Sequence, residues 1–288
     1  MELTEAVLNY NTQRVHELFQ QGVDHDIQDN QGRTTLIWAS RMGRINIARL
    51  SLEYGADPNI IDNDGRTSLI MASKYGDAEI VKLLLENGAD PNIISNDGKT
   101  SLLIASNHGQ TDIVRLLLEN GADPNIIDND GRTSLIMASK YGDTEIVKLL
   151  LENGADPNIR DINGQTPYDI ALDVDYVNYD IVRLIKNHMI LQRNLQRAQQ
   201  NLAFMKYFLD NNDLDIDTAS KIFSNERSYN PSVSRRIKDE QRRNMILEEE
   251  NDRIADYLNT LDQYGMGKRS KGKHGKKRSK RRYARNRY

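Results

Sequence analysis

The chain has 288 residues, 38% of them hydrophobic, enough for a packed core and for about two domains of ordinary size. It contains no cysteine, which excludes disulfides and thiolate metal sites. The acids Glu2 and Glu5, with no long apolar run near them, argue against a signal peptide, and no stretch reaches the ~18 apolar residues that a membrane span needs.

The formal charge of −3 conceals an asymmetry. Met266 to Tyr288 carries 12 Lys and Arg and no acid, which leaves about −15 for the remainder. Glycines recur at 32, 65, 98, 131 and 164, and again at 22, 55, 88, 121 and 154, so the period is 33 residues. Ile60 to Asn92 and Ile126 to Asn158 differ only at Ala78 versus Thr144, with a more divergent copy between them.

In chain order, the first element is a half-repeat over 1–28. Leu3, Ala6, Val15, Leu18 and Gly22 stand 33 places before Leu36, Ala39, Ala48, Ser51 and Gly55, and the turn that opens a unit is missing. Full repeats are expected at about 29–61, 62–94, 95–127 and 128–160. In the second, Asn63-Asp64-Gly65 is turn chemistry and Thr67 caps a short helix, Ser68 to Lys74. Asp77 caps a second helix, Ala78 to Glu86, whose Ile80, Val81, Leu83, Leu84 and Leu85 cover too much of its girth for one narrow stripe. Asn87-Gly88 closes it, and Pro91 keeps the exit from continuing as helix. Such a unit cannot bury its own apolar faces, so neighbours must stack. A terminal repeat over 161–188 carries a longer Asp173-Val174-Asp175-Tyr176 connection, because Ile181-Val182 comes two residues late.

The unit D-x-x-G-x-T-S-L-I-x-A-S-x-x-G-D-x-x-I-V-K-L-L-L-E-N-G-A-D-P-N resembles the ankyrin repeat over roughly Met1 to His188. The fold expected is therefore an all-α ankyrin-repeat solenoid, a turn plus two antiparallel helices per repeat. Only Thr166-Pro167 keeps the proline of the family's T-P-L-H. The other units have Thr34-Thr35-Leu36-Ile37, Thr67-Ser68-Leu69-Ile70, Thr100-Ser101-Leu102-Leu103 and Thr133-Ser134-Leu135-Ile136, so apolar contact is expected where the histidine would form hydrogen bonds between repeats. The Asn/Ile-rich wording, the T-S-L-I variant and the near-identical tandem copies are similar to ankyrin proteins of large DNA viruses of amoebae.

Beyond the repeats, a helical extension is expected over 189–262. Leu191, Leu195, Ala198, Leu202, Met205 and Leu209 form a helical seam; Asp217 caps a short helix; Ser234 to Leu261 forms a longer one. Asn244 and Asn251 interrupt its apolar face, which leaves two readings, a helical hairpin packed on the last repeat and a dimerising coil. A disordered basic tail occupies 263–288.

The chemical motifs carry no catalytic or metal site. Asp97-Gly98-Lys99-Thr100 looks like the end of a phosphate-binding loop, but Ile93 stands where the required glycine would be. Asp213-x-Asp215-x-Asp217 is followed by Thr218 where a calcium loop needs glycine, and Ser224 takes the place of its final glutamate. The histidines are scattered, no nucleophile has a base, and no cofactor is implied, so a non-enzymatic protein is expected.

By the resemblance, the turn tips and the exposed face of each first helix form a concave surface for a protein partner. On this chain that surface comprises Asn30, Gln31, Arg33, Trp38, Arg41 and Met42, then Asn63, Asp64, Arg66, Met71, Lys74 and Tyr75. Asn96, Asp97, Lys99, Ile104, Asn107 and His108 follow, then Asn129, Asp130, Arg132, Met137, Lys140 and Tyr141. The residues expected to carry binding are Arg33, Trp38, Arg41, Arg66, Lys74, Tyr75, Lys99, His108, Arg132, Lys140 and Tyr141. The alternative is that the cations solvate the surface while Trp38 and the methionines pack between repeats. In the tail, Lys268, Arg269, Lys276, Lys277, Arg278, Lys280, Arg281 and Arg282 fit a nuclear-targeting signal read by an import receptor. Tyr283 and Tyr288 among arginines fit nucleic-acid contact equally well, and simple pairing with the acidic body is a third option. The absence of cysteine fits a reducing intracellular compartment, and the expected location is cytoplasm or nucleus, a host cell's by the viral resemblance.

Overall fold

The computed structural model describes residues 2–172 and 177–212, and the chain divides into two units, Met1–Gln199 and Gln200–Tyr288. The first unit is made of paired helices. Glu2–Leu8 (α1) and Thr12–Gln20 (α2) open it, followed by Thr35–Met42 (α3) and Ile45–Glu53 (α4), then Ser68–Tyr75 (α5) and Ala78–Glu86 (α6). Ser101–Asn107 (α7) and Thr111–Glu119 (α8) come next, then Ser134–Tyr141 (α9) and Thr144–Glu152 (α10), and lastly Pro167–Ala171 (α11) and the greater part of Tyr179–Asn212 (α12). No strand occurs among the described residues.

Local chemistry sets the helix boundaries. Thr34, Thr67, Thr100 and Thr133 each accept the N–H three residues on, at 3.2–3.3 Å, which satisfies one of the donors left open at a helix start. Gly43, Gly76 and Gly142 end α3, α5 and α9 in the left-handed region. In the third unit His108 ends α7, and Gly109 takes the positive φ one place later. Asp77 caps α6 through the N–H of Ile80 at 3.1 Å.

Helices of seven to nine residues are not stable alone, so packing must hold them. α1, α3, α5, α7, α9 and α11 lie side by side as a front row, and α2, α4, α6, α8 and α10 as a back row. Leucines 36, 69, 102 and 135 and alanines 39, 72, 105 and 138 of the front row are buried in one continuous core with Ile80, Leu84, Val114, Leu117 and Leu150 of the back row. All five apolar residues singled out on α6 are buried. The solenoid is thus a two-layer stack that shares its core between neighbours.

Two asparagine ladders join the repeats. The side-chain amides of Asn63, Asn96 and Asn129 donate to the carbonyls of Asn30, Asn63 and Asn96 at 3.0–3.1 Å, one repeat back. Asn59, Asn92 and Asn125 donate forward to the carbonyls of Gly88, Gly121 and Gly154, and accept from the N–H of Asp90, Asp123 and Asp156. The isoleucines and leucine that stand in the histidine column, Ile37, Ile70, Leu103 and Ile136, are buried. Apolar contact there is therefore joined by polar bonding supplied elsewhere. The close stacking of the turn tips also explains Gly65: its φ is +74°, and a Cβ there would lie 2.6 Å from Asn96 Oδ1 and 2.8 Å from Asn96 N.

At the far end, Thr166 and Asp169 cap α11 reciprocally, and Asn178 caps the start of α12, whose Ile181, Val182 and Ile185 join the core. α12 runs without a break past His188 to Asn212, and Leu191 and Leu195 of the expected seam are exposed. The Asp173–Tyr176 connection, the Asp213–Asp217 run, the helices expected from Asp217 and from Ser234 to Leu261, and the basic tail lie outside the described residues. Among the described residues no helix is long and apolar enough to cross a membrane.

Candidate functional site

Each repeat brings two groups of side chains to the front face, one from the turn before the front helix and one from that helix's last turn. The turns are set by an Asp, or by Ser95 in the third repeat. Asp62 Oδ1 accepts the N–H of Asp64 and of Arg66, both at 2.9 Å, and Asp128 does the same for Asp130 and Arg132. Ser95 Oγ accepts the N–H of Lys99 at 3.2 Å in their place.

These turns also capture their own cations. Arg66 pairs with buried Asp62 and with Asp64; Arg132 Nε and an Nη lie 2.9 and 2.8 Å from Asp128, with Asp130 alongside; Lys99 pairs with Asp97. Burial alone would push the Asp97 carboxyl up, but the bonds from Lys99 and Ser95 outweigh it and hold the group below its ordinary value. Arg132 is held above its ordinary value, chiefly by its bond to Asp128.

The last turns behave differently. Lys74 and Lys140 are exposed and make no ion pair among the described residues, and the residues three and four places before each are apolar. Tyr75 and Tyr141 beside them are exposed as well. In the third repeat Asn107 and His108 occupy these places, and His108 Nδ1 donates to the carbonyl of Ile104 at 2.8 Å.

Across repeats two to four these groups line one depression of about 440 Å³. Its floor is Leu103, Ile104 and Met137, each buried against the stack yet facing the opening. Its rim carries Lys74 on one side, Lys140 and Tyr141 on the other, and His108 between, with the paired Arg66, Lys99 and Arg132 at the turn end. Five cations therefore face two carboxylates, Asp64 and Asp97, on a body that is acidic as a whole.

The structure brings Arg66, Lys74, Lys99, His108, Arg132, Lys140 and Tyr141 together at this depression and leaves Arg33, Trp38, Arg41 and Tyr75 outside it. Arg33 corrects an expectation of exposure. It is 9% exposed, its Nε lies 3.6 Å from buried Asp62, and its guanidinium covers the Trp38 ring at 4.8 Å. Trp38 is partly buried, donates its indole N–H to Asp29 at 2.8 Å, and carries Arg41 at 5.3 Å. Its bond to Trp38 and those to the N–H groups of Arg33 and Gln31 overcome the effect of burial and hold Asp29 below its ordinary value. Met71, Met137 and Ile104 are likewise buried rather than projecting, and Asn63, Asn96 and Asn129 spend their amides on the preceding repeat. Leu103, a floor residue, was not expected on this face; its place in the column of Ile37, Ile70 and Ile136 was the available signal. Among the described residues no group of three or more His, Asp and Glu is placed to hold a metal ion.

The sequence matches the family of ankyrin repeats (three copies) over residues 3–95 and 87–161. In structure it is similar to a crystallised ankyrin repeat protein, EF0377, with 32% identity and a TM-score of 0.59 over 64% of this chain and 96% of that one. No match was found among curated proteins.

Proposed function

The chain belongs to the ankyrin repeat family, and from that premise we propose that it is a non-enzymatic interaction scaffold that holds a protein partner on the concave front face, centred on the depression over the third repeat. Ankyrin repeats generally mediate protein–protein interactions. The observation that carries the reading is the contrast between the two groups of cations. Those of the turns are used by the fold, whereas Lys74 and Lys140, with Tyr141, stand over an apolar floor and are left over from it. Aromatic and cationic side chains around a desolvated apolar centre are the composition of an interface hot spot.

The test is affinity capture with the full chain and with a variant carrying alanine at Lys74, Tyr75, Lys140 and Tyr141. Partner capture is expected to fall while the melting curve stays the same. Unchanged capture with an unchanged melt would sink the proposal. The charge of the tail favours a second role, targeting or nucleic-acid contact through Lys268 to Arg282, and loss of nuclear accumulation or polyanion binding on deletion of Gly267 to Tyr288 is its test.

A further inference from the structure

The depression combines two features that constrain what fills it: unpaired cations at two separated points and a continuous apolar floor between them. Resting on the interaction reading above, we propose that its occupant is an extended peptide segment with two carboxylate side chains about five or six residues apart and an apolar side chain midway.

The spacing follows from the stack. Lys74 ends α5 and Lys140 ends α9, with α7 packed between them. Neighbouring helices pack about 8–10 Å apart, so the two ammonium groups arise about 16–20 Å from one another. An extended chain rises about 3.3 Å per residue, and about five or six residues cover that span. The midpoint of such a segment lies over Ile104, Leu103 and Met137, beside His108 and Tyr141. An apolar side chain placed there gains contact with the floor, whereas a third charge would be desolvated without a partner.

The charge balance selects a peptide carboxylate over other anions. Arg66, Lys99 and Arg132 already have carboxylate partners, so among the described residues that line the depression two strong cations, Lys74 and Lys140, remain for a ligand. Asp64 and Asp97 are exposed on the rim and repel a continuous phosphate chain, which needs neutralisation along its length. The chain outside its basic tail is acidic in net charge, which disfavours non-specific capture of an acidic segment and favours the cationic opening.

The probe is a fluorescent twelve-residue peptide with two glutamates six positions apart and a leucine midway, serine and glycine elsewhere, titrated into the full-length protein. Replacing both glutamates by glutamine is expected to weaken binding by about twofold to twenty-fivefold, since each exposed pair contributes up to about a factor of five. The double variant Lys74→Glu and Lys140→Glu is expected to lose the glutamate peptide and to bind a counterpart with lysine at both positions. That exchange of preference also shows that the variant is folded. Equal binding of the glutamate and glutamine peptides overturns the proposal, as does a glutamate preference that survives the charge reversal. An oligothymidylate of equal length that binds more tightly than the glutamate peptide overturns it in favour of nucleic acid. Failure here is distinct from failure of the interaction reading: partner capture lost in the alanine variant, with no glutamate preference, removes the acidic peptide and leaves the scaffold standing.

Discussion

Ser40, Ser73, Ser106 and Ser139 form a column through the stack, each buried, and the hydroxyl of each has no hydrogen-bond partner among the described residues. A buried hydroxyl without a partner costs about 1–3 kcal/mol relative to one that is satisfied. Alanine in its place removes that cost and adds up to about 0.5 kcal/mol of helix propensity, against a small loss of packing from one missing oxygen. Ser106→Ala in the middle of the stack is therefore expected to stabilise the protein by about 1–2 kcal/mol. For a folded region of this size that raises Tm by roughly 2–8 °C. Ser95→Ala is the control. Ser95 is equally buried, but its hydroxyl lies 2.6 Å from Asp97 Oδ1 and accepts the Lys99 N–H, so its loss is expected to destabilise by about 1 kcal/mol. Thermal and urea melts followed by circular dichroism distinguish the two. If Ser106→Ala lowers Tm as Ser95→Ala does, the hydroxyl column is satisfied and the reasoning is wrong.

Leu84 is fully buried in the shared core, so Leu84→Ala is expected to cost about 2–5 kcal/mol and to loosen both adjacent repeats; hydrogen exchange confined to residues 62–94 would contradict a shared core. Gly65→Ala and Gly88→Ala both place a side chain at positive φ, but only the first meets Asn96, so Gly65→Ala is expected to lower Tm clearly more than Gly88→Ala in parallel melts. Burial raises the pKa of the Asp143 carboxyl, which stands at the N-cap of α10 and makes no capping side-chain hydrogen bond among the described residues. A raised folded pKa means that the native state holds its proton longer than the unfolded chain, so this group's contribution is present below the ordinary carboxylate range and is lost as pH rises through the raised value. Asp143→Asn is accordingly expected to be the more stable protein at neutral pH, with the difference closing in acid; a gap that widens in acid would reverse the assignment.

The helix pairs were legible because the residues that start and stop them act locally. Thr67, Asp77, Gly76 and Asn87 are caps that a short window of sequence reveals, and the buried girth of α6 follows from its own composition. What acts across a repeat was less legible. Asn63, Asn96 and Asn129 sit at turn tips, where exposure is the natural expectation, yet each amide turns to a carbonyl 33 residues back. Trp38 and Arg33 have the composition of a binding site and are held by Asp29 and Asp62, one of them in the next repeat. In the site itself, Lys74 and Lys140 were named from the repeat alone, and the absence of acids three and four residues before them already marks them as unpaired within their helices. Their convergence on one floor needed the stacking of three front helices, which no single repeat contains.

Hydrogen–deuterium exchange on the full chain, free and with its captured protein partner, tests most directly whether the front face is the binding surface. Slowed exchange is predicted in the turns and last helical turns of repeats two to four, around residues 64–66, 74–76, 97–99, 107–109 and 140–142. Slowing confined to the back-row helices α4, α6, α8 and α10, with these segments unchanged, would contradict it.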